Sequence, residues 1–303
     1  MKTKLKIKDY IFVIALTILP LIQFIIMWVG VNLTSFILPF QTYNLTDKTF
    51  GFLDKDNLFH WFQAFFSDMK TDSSMMQTMK NSIFLYFWSM LLMFPLHILV
   101  AYAVWKKLCL SKFFTVMLYL PNIISGMVFC IVFKYFVEYG FPLISGNPKL
   151  QSMITNPDTG FTTLLIFSSW VGFGGGLVLY IGAMCRIPDS VIEYGQLEGI
   201  GAIREFISVV VPMIFPTISV FIITSFMGIF TNQFVLVPFF GTSAPPNMQT
   251  FGYYFFKMVI GENGGSAMYP YAAAASLIFT VIVVPVVLTV KWLLEKYGPN
   301  PEY

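Results

Sequence analysis

Six long apolar runs, separated by polar intervals, dominate the pattern of hydrophobic and polar positions along the chain. Each run reaches the roughly 20 residues that a helix needs to cross a bilayer. The runs cover residues 10–31, 82–105, 113–136, 161–184, 207–230 and 268–292. The pattern predicts an all-α, polytopic membrane protein in which residues 1–303 form a single transmembrane domain with six spanning helices. Between the first two runs, one helical face is predicted to carry Leu58, Phe59, Phe62, Phe65 and Phe66, which indicates a short amphipathic helix at the outer interface.

Composition and charge support this interpretation and give it an orientation. Of the 303 residues, 57% are hydrophobic and only 11% are charged, whereas soluble domains carry about a quarter charged residues. Basic side chains favour the cytoplasmic face, and the predicted inner segments hold those at positions 2, 4, 6, 8, 106, 107, 112, 186, 204, 291 and 296. The outer basic residues are fewer and are matched by acids. We therefore expect both termini in the cytoplasm. The first run is too long for the core of a cleaved signal peptide, so we expect an uncleaved helix. No basic run interleaved with aromatic residues indicates nucleic acid.

The loop over residues 187–206 is the one internal segment that is both charged and patterned as helix. Ser190 and Glu193 have the spacing of a capping box, which predicts a helix over residues 191–198. Gly199 stands where a helix favours a left-handed terminator, and a second helix is predicted to start near Ala202. A helix, a glycine break and a second helix on one membrane face indicate a docking site for a soluble partner.

This loop resembles that of ABC importer permease subunits, whose pattern is E-A-A, three residues, G, nine residues, I-x-L-P. Glu193, Gly199 and Pro212 match its fixed positions. Tyr194 and Gly195 replace the two alanines, and Glu198 takes the usual aspartate position. The resemblance implies the type I ABC importer permease fold with a cytoplasmic coupling helix. It also implies that Ser190, Glu193, Tyr194, Glu198, Gly199 and Pro212 couple the chain to an ATPase.

The resemblance extends beyond the loop to the maltose-transporter-like branch of carbohydrate importers. Asn81-Ser82 precedes the second run, Leu120-Pro121 lies in the third, Tyr139-Gly140 follows it, and a W-x-G-x-G pattern begins at Trp170. One glycine of the family's outer-loop pattern is missing near Gly241. The branch implies a bacterial plasma membrane, a second permease subunit, an ABC ATPase dimer, an extracellular solute-binding protein, and a sugar or oligosaccharide cargo. ATP and Mg²⁺ would belong to the ATPase, and this chain would bind no cofactor.

Candidate cargo contacts are the neutral polar and aromatic side chains at membrane depth. They are Asn122, Trp170, Asn232 and Gln233. These groups offer hydrogen bonds and a ring face without charge, as a sugar requires, although aromatic residues at span ends are also typical of the interfacial belt. His97, near Pro95, fits either a packed kink or a role in transport.

No catalytic or metal-binding pattern accompanies these residues. The chain lacks a G-x-x-x-x-G-K-[ST] phosphate loop and an H-E-x-x-H pair, so we expect no enzyme and no metal site. Cys109, Cys130 and Cys185 are interpreted as small apolar side chains. The scarcity of ionisable residues in the runs disfavours an ion-coupled carrier. The alternatives to an ABC permease are a membrane-embedded assembly or partner protein and a carrier of another class.

Overall fold

The computed structural model describes residues 7–108, 110–147, 151–261 and 265–299, so Cys109 lies outside the described residues. The chain forms a helical bundle with one small hairpin. Its α-helices are α1 (Ile7–Gln23), α2 (Gly30–Ile37), α3 (His60–Thr71), α4 (Ser73–Phe87), α5 (Phe94–Trp105), α6 (Ser111–Ile123), α7 (Gly126–Tyr135), α8 (Phe141–Ser145), α9 (Gly160–Met184), α10 (Asp189–Leu197), α11 (Ala202–Glu205), α12 (Val211–Met213), α13 (Phe215–Met227), α14 (Leu236–Phe240), α15 (Phe251–Ile260) and α16 (Tyr269–Tyr297).

The first span is longer than predicted and stands apart from the bundle. Helix α1 runs through a π-helical segment, Phe24–Val29, into α2, and the apolar stretch Phe12–Phe40 is long enough to cross a membrane. None of its most apolar window is buried within the chain. Its closest packing is at the end, where the 3₁₀ turn Leu38–Phe40 contacts α16.

A two-stranded hairpin follows, which the sequence pattern did not predict. Strands β1 (Gln41–Asn44) and β2 (Thr49–Phe52) pair antiparallel, with Tyr43 opposite Phe50. Two aromatic rings facing each other across a strand pair stabilise such a ribbon, and their centroids are 5.0 Å apart. Among the residues that the structure describes, the hairpin is the one exception to the all-α prediction. The predicted amphipathic helix is present as α3, whose Phe65 is buried.

The second span begins earlier than predicted, at Ser73 rather than residue 82. It continues through α4, the π-helical segment Trp88–Met93 and α5 to Trp105. Asp72 caps α4, because its carboxylate accepts a hydrogen bond from the backbone N–H of Ser74 at 2.8 Å. This bond and the hydroxyl of Ser74 hold the pKa of Asp72 below its ordinary value.

The predicted third span, residues 113–136, is not one continuous helix. Helix α6 ends at Ile123, Ile124 is extended with ψ 147°, and α7 starts at Gly126. Pro121 has no N–H to donate within α6, which weakens the helix just before the break. Residues 137–145 are also helical, and the membrane-length helix is Gly126–Ser145.

The last three spans follow the predicted positions with one sharp bend. Helix α9 matches the predicted fourth span, and α16 extends the sixth to Tyr297. The fifth is broken by 72° between Ala202–Met213 and Phe215–Met227. The bend falls at Ile214, between Pro212 and Pro216, because each proline removes a backbone donor. Within the described residues, five helices can span a membrane, or six if the bent pair counts as one span.

Helix α9 lies at the centre of the bundle and packs against both α5 and α6. Its two ends belong to different hydrophobic clusters. Leu164 and Phe167 pack with the segment containing Leu236 and Met248. Tyr180 and Met184 pack with α5 and with the bend around Ile214. This arrangement positions the 187–206 loop at one end of α9 and the turn after α13 beside its other half.

Candidate coupling site and transport cavity

Helix α10 corresponds to the helix that the sequence predicted over residues 191–198, but it starts in a different way. It begins at Asp189, with Pro188 as the N-cap residue, and no side chain caps it. The predicted Ser190–Glu193 capping box is therefore wrong. Ser190 lies one position inside the helix, where its hydroxyl no longer occupies the cap position. Pro188 replaces the cap because its fixed φ, here −61°, presets the chain to enter the helix.

The end of α10 has the predicted glycine terminator. Gly199 adopts φ +72°, and its N–H donates to Gln196 O at 3.0 Å while Ile200 N–H donates to Gly195 O at 3.0 Å. These two bonds form a Schellman motif, which satisfies the last carbonyl groups of the helix. The helix therefore ends abruptly, in a geometry that a β-branched residue at position 199 would strain.

The outer face of α10 is free of the rest of the described chain. Tyr194 is 70% exposed and Leu197 is 85% exposed. Ser190, Glu193 and Glu198 are also exposed, whereas Gly195 is buried against the bundle. Pro212 lies apart from these residues, half-buried in α12 beside the bend. Large apolar side chains on a short, rigid, exposed helix are typical of a binding surface.

A buried ion pair behind the docking helix was missed at the sequence level. The carboxylate of Glu205 lies 2.6 Å from Lys106 Nζ, and the hydroxyl of Tyr102 donates to it at 3.1 Å. Glu205 is only 3% exposed. In the sequence, Glu205 is visible only as an acid just before the apolar run that begins at residue 207. Nothing in one sequence pairs this acid with a lysine 99 positions earlier.

Asn232 lies at two adjoining cavities, of about 230 and 240 Å³. Both are also lined by Leu85 and Ser89, the latter from the π-helical segment of the second span. Such segments are frequent at functional sites because the extra residue re-aims the neighbouring side chains. No Asp, Glu, Lys or Arg of the described chain lines either cavity.

The other predicted cargo contacts lie elsewhere. Asn122 Nδ2 donates to Val171 O at 3.2 Å, and Trp170 Nε1 donates to Met117 O at 3.3 Å. Both bonds join α6 to α9, and neither side chain lines the two cavities around Asn232. Gln233 faces a separate apolar groove of about 720 Å³ between α13, α15 and α16.

The cavities contain polar groups that sequence reasoning had not assigned to cargo. His97, Ser168 and Ser169 line the first cavity, and Tyr86 and Ser225 line the second. Within the described residues, His97 Nε2 and the hydroxyl of Tyr86 are buried without a hydrogen-bond partner. Buried polar groups normally have a partner, so these two atoms mark the cavities as places for a polar molecule or water. In the sequence, these groups could have been recognised as a histidine and several hydroxyl side chains within otherwise apolar runs.

Comparison with known proteins identifies the family. A sequence profile described as "binding-protein-dependent transport system inner membrane component" matches residues 93–299. This chain belongs to that family. The family and the apolar helices place it in a bacterial plasma membrane as a transport component. Residues 93–299 include α5, α10 and Asn232, whereas Leu85 and Ser89 of the two cavities precede the matched range.

Curated relatives within the family carry sugar-transport names. The chain is 25% identical over 209 residues to the maltose/maltodextrin transport system permease protein MalF of Escherichia coli K12, covering 64% of this chain and 40% of that protein. It is 31% identical over 131 residues to the probable starch degradation products transport system permease protein AmyD of Thermoanaerobacterium thermosulfurigenes, covering 42% of this chain and 45% of that protein. The matches thus span less than half the length of these relatives.

Solved structures share the fold over nearly the whole chain. A bacterial ABC transporter involved in the import of the acidic polysaccharide alginate matches with a TM-score of 0.74 at 19% identity, covering 96% of this chain and 97% of that chain. The same type of transporter in complex with an alginate pentasaccharide-bound periplasmic protein matches with a TM-score of 0.71 at 18% identity. The type I importer permease fold implied by the coupling-loop motif is confirmed.

Proposed function

We propose that this chain is a transmembrane permease subunit of an ATP-driven importer that moves a sugar or oligosaccharide into the cell. It would be driven by separate ATPase subunits that dock on residues 187–206. The family supports the transport role, and the relatives named for maltodextrin and starch products support the cargo. In this account ATP and Mg²⁺ are held by the ATPase dimer, and the chain itself carries no catalytic residue.

The observation that carries the proposal is the exposed, sharply ended helix α10. Tyr194 and Leu197 present apolar surface to solvent, and the Schellman motif at Gly199 fixes the direction in which α10 ends. An amphipathic helix that lies in the groove of a partner is a common recognition mode. Because the loop continues directly into the bent fifth span, force applied to α10 would reach the membrane helices.

The cargo is proposed to be neutral. The two cavities at Asn232 offer hydroxyl, amide and imidazole groups and an indole edge, with no charged side chain. Such groups hydrogen-bond sugar hydroxyls without the cost of desolvating an ion. Asn232 and His97 are the contacts that we place first. Asn122, Trp170 and Gln233 stay predictions, with Asn122 and Trp170 already engaged between α6 and α9.

The exposed first span supports a second permease subunit as partner. The most apolar window of residues 12–40 buries nothing within the chain, yet this stretch carries Gln23 and Asn32. Polar side chains in a bilayer favour a protein neighbour. An extracellular solute-binding protein would deliver cargo to the face opposite α10. Both termini would lie in the cytoplasm, as the basic residues of the inner segments favour.

The docking role is tested by co-purification of the permease with its ATPase from the host membrane. Leu197→Asp places a charge in the proposed contact, so we expect the ATPase to be lost from the complex while the permease still inserts. Leu45→Asp is the matched control, because Leu45 is 76% exposed in the hairpin loop, far along the chain from α10. Equal ATPase recovery with both variants would refute docking on α10.

Orientation has an independent test by cysteine labelling. In a background without Cys109, Cys130 and Cys185, a cysteine at position 197 should react with an impermeant maleimide only in inside-out vesicles. A cysteine at position 45 should react in intact cells. The reverse pattern would place α10 outside and contradict the proposal. Cargo uptake by vesicles that contain only this polypeptide would favour a carrier of another class.

A further inference from the structure

Three side chains tie the docking loop to the inner end of the second span. Lys106 Nζ lies 2.6 Å from Glu205 Oε1. The hydroxyl of Tyr102 is 3.1 Å from the same oxygen and 3.1 Å from the carbonyl of Ala202. Tyr102 and Lys106 come from the end of α5, and Ala202 and Glu205 come from α11. The network therefore crosses between segments about 100 positions apart.

The network is buried, which makes its geometry restrictive. The side chain of Glu205 is 5% exposed, that of Lys106 is 20% exposed, and Tyr102 is 4% exposed. Charges removed from water are costly unless they are paired and hydrogen-bonded. Separating α5 from α11 would leave the Glu205 carboxylate buried without its lysine. Moving the two helices apart therefore costs more free energy than breaking an exposed ion pair would.

An exposed ion pair of the same residue types serves as a natural comparison. Lys291 and Glu295 lie one turn apart on α16, 3.7 Å from each other, with side chains 53% and 67% exposed. Exposed pairs of this kind contribute little, because water and salt screen them. Both pairs are at inner ends of spans in the proposed orientation. Only the buried pair joins two different segments.

We infer that the Lys106–Glu205 pair, with Tyr102, is the connection through which movement of the docking loop reaches the second span. Helices α11 and α5 then move as one body when the ATPases close. Since α5 and the π-helical segment before it supply His97 and Ser89 to the cargo cavities, the connection links α10 to the cargo site. Lys106 and Glu205 are positioning residues, and this inference rests on the proposed function.

The test measures distances in the whole transporter, in nanodiscs, with two spin labels on this chain. Leu91 and Ile207, whose side chains are 68% and 61% exposed, are each replaced by cysteine in a chain from which the native cysteines have been removed. The two spin labels are attached at these positions. Leu91 lies about 22 Å from Lys106 along the helix, from a rise of 1.5 Å per residue. In the parent complex we expect the same distance distribution without nucleotide and after trapping with ATP and vanadate, because the two helices move together.

Breaking the pair should uncouple the two labels. In Lys106→Met, a change outside the docking loop, trapping should shift or broaden the distribution while ATPase recovery and ATP hydrolysis stay within about twofold of the parent. Trapping should shift or broaden the distribution in Glu205→Gln as well. The exchange Lys106→Glu with Glu205→Lys should restore a single narrow distribution. Lys291→Met with Glu295→Gln is the matched control and should behave as the parent. Together, these variants distinguish loss of the connection between the two helices from a general loss of protein stability.

Two results would overturn the inference. The first is a parent complex whose Leu91–Ile207 distance already changes on trapping. The second is a Glu205→Gln complex that keeps the parent's unchanged distribution. Failure of the proposed function gives a different result, since the parent chain would then bring down no ATPase and show no ATP hydrolysis at all.

Discussion

At the scale of single residues, Gly199 shows how a backbone requirement differs from a packing requirement. Its φ of +72° belongs to the left-handed region, yet a Cβ built on it would meet nothing within 4 Å. In the chain without its partner, the space around position 199 therefore does not exclude a side chain. A side chain here is disfavoured by its own backbone, most strongly for β-branched residues and least for asparagine.

The effect of a substitution at Gly199 should depend on how well the new residue tolerates the left-handed backbone conformation, and not on the size of its side chain. We expect Gly199→Val to loosen the end of α10 at a cost of about 1–2 kcal/mol, and to lower ATPase recovery several-fold. Gly199→Asn should stay near the parent because asparagine tolerates this conformation. The check is co-purification with the ATPase alongside helix protection by hydrogen exchange. Equal loss in both variants would indicate that the partner contacts position 199 itself.

Asp72 illustrates a residue whose effect depends on pH. Its pKa is lowered mainly by the hydrogen bonds to Ser74, so its charged form is favoured in the folded chain. The stabilisation is present above the ordinary aspartate pKa and is lost as the pH falls through the lowered value.

Replacing Asp72 by alanine should cost about 1 kcal/mol at neutral pH, the usual value of a lost N-cap. Asp72→Asn keeps a capping oxygen and should cost less. Thermal unfolding in detergent at pH 7 and pH 3 measures both. The gap between the parent and Asp72→Ala should narrow at pH 3, and a gap that widens instead would contradict the capping role.

At the scale of elements, α6 and α9 meet more closely than the glycine pattern alone indicates. A Cβ on Gly174 would lie 2.1 Å from Asn122 Nδ2 and 2.7 Å from the carbonyl oxygen of Leu118. A Cβ on Gly172 would meet nothing within 4 Å. Two glycines in one helix turn therefore have unequal roles, and Asn122 is held in the contact between the two helices.

Gly174→Ala should push α6 away from α9 and destabilise the chain by about 1–3 kcal/mol, as overpacking does. Gly172→Ala is the matched control and should be neutral or slightly stabilising, because alanine favours helix. The melting temperature of the purified permease decides between the two positions. Similar melting temperatures for both variants would show that α6 is not fixed by this contact.

How far the sequence predicts the elements depends on the kind of signal. Apolar length located the spans, and Gly199 located the end of the docking helix, because both are local properties. The start of α10 was misassigned because Pro188 and Ser190, two positions apart, are both residue types that favour the start of a helix. The break after Ile123 and the Lys106–Glu205 pair depend on tertiary contacts, which one sequence does not contain. The same limit applies to the cavities, whose lining comes from four separate segments.

At the scale of the whole molecule, Asn81 and Ser82 hold the outer segment against the bundle. Asn81 Nδ2 donates to the carbonyls of Asn247 and Gln249, at 2.9 and 2.8 Å, and Ser82 Oγ accepts from Phe251 N–H at 2.9 Å. The N-[ST] signature, which lies within α4, thus has a physical role. It orders the start of α15, and Thr250 beside it bonds to the carbonyl of Asn232 at 2.8 Å.

Asn81→Ala should free this segment, because the buried carbonyl of Gln249 loses its donor at a cost of about 1–3 kcal/mol and the exposed Asn247 loses its bond as well. We expect faster hydrogen exchange over residues 247–260, with α9 unchanged. Gln77→Ala is a useful control, since Gln77 bonds Asn81 but not the outer segment. Unchanged exchange over 247–260 in Asn81→Ala would show that other contacts order it.

The bend at Ile214 has a consequence for the surrounding lipid. Beyond it, α13 has 13 residues, which rise about 20 Å, while the hydrocarbon layer of a typical bilayer is about 30 Å thick. With Ile214 at the inner edge of the hydrocarbon layer, the turn with Thr231 and Asn232 would fall within the depth of the acyl chains, where exposed peptide groups are tolerated only beside protein or water. Longer acyl chains would bury this turn further and shorter ones would bring it nearer the headgroups. Acyl-chain length should consequently tune the access of water to Asn232.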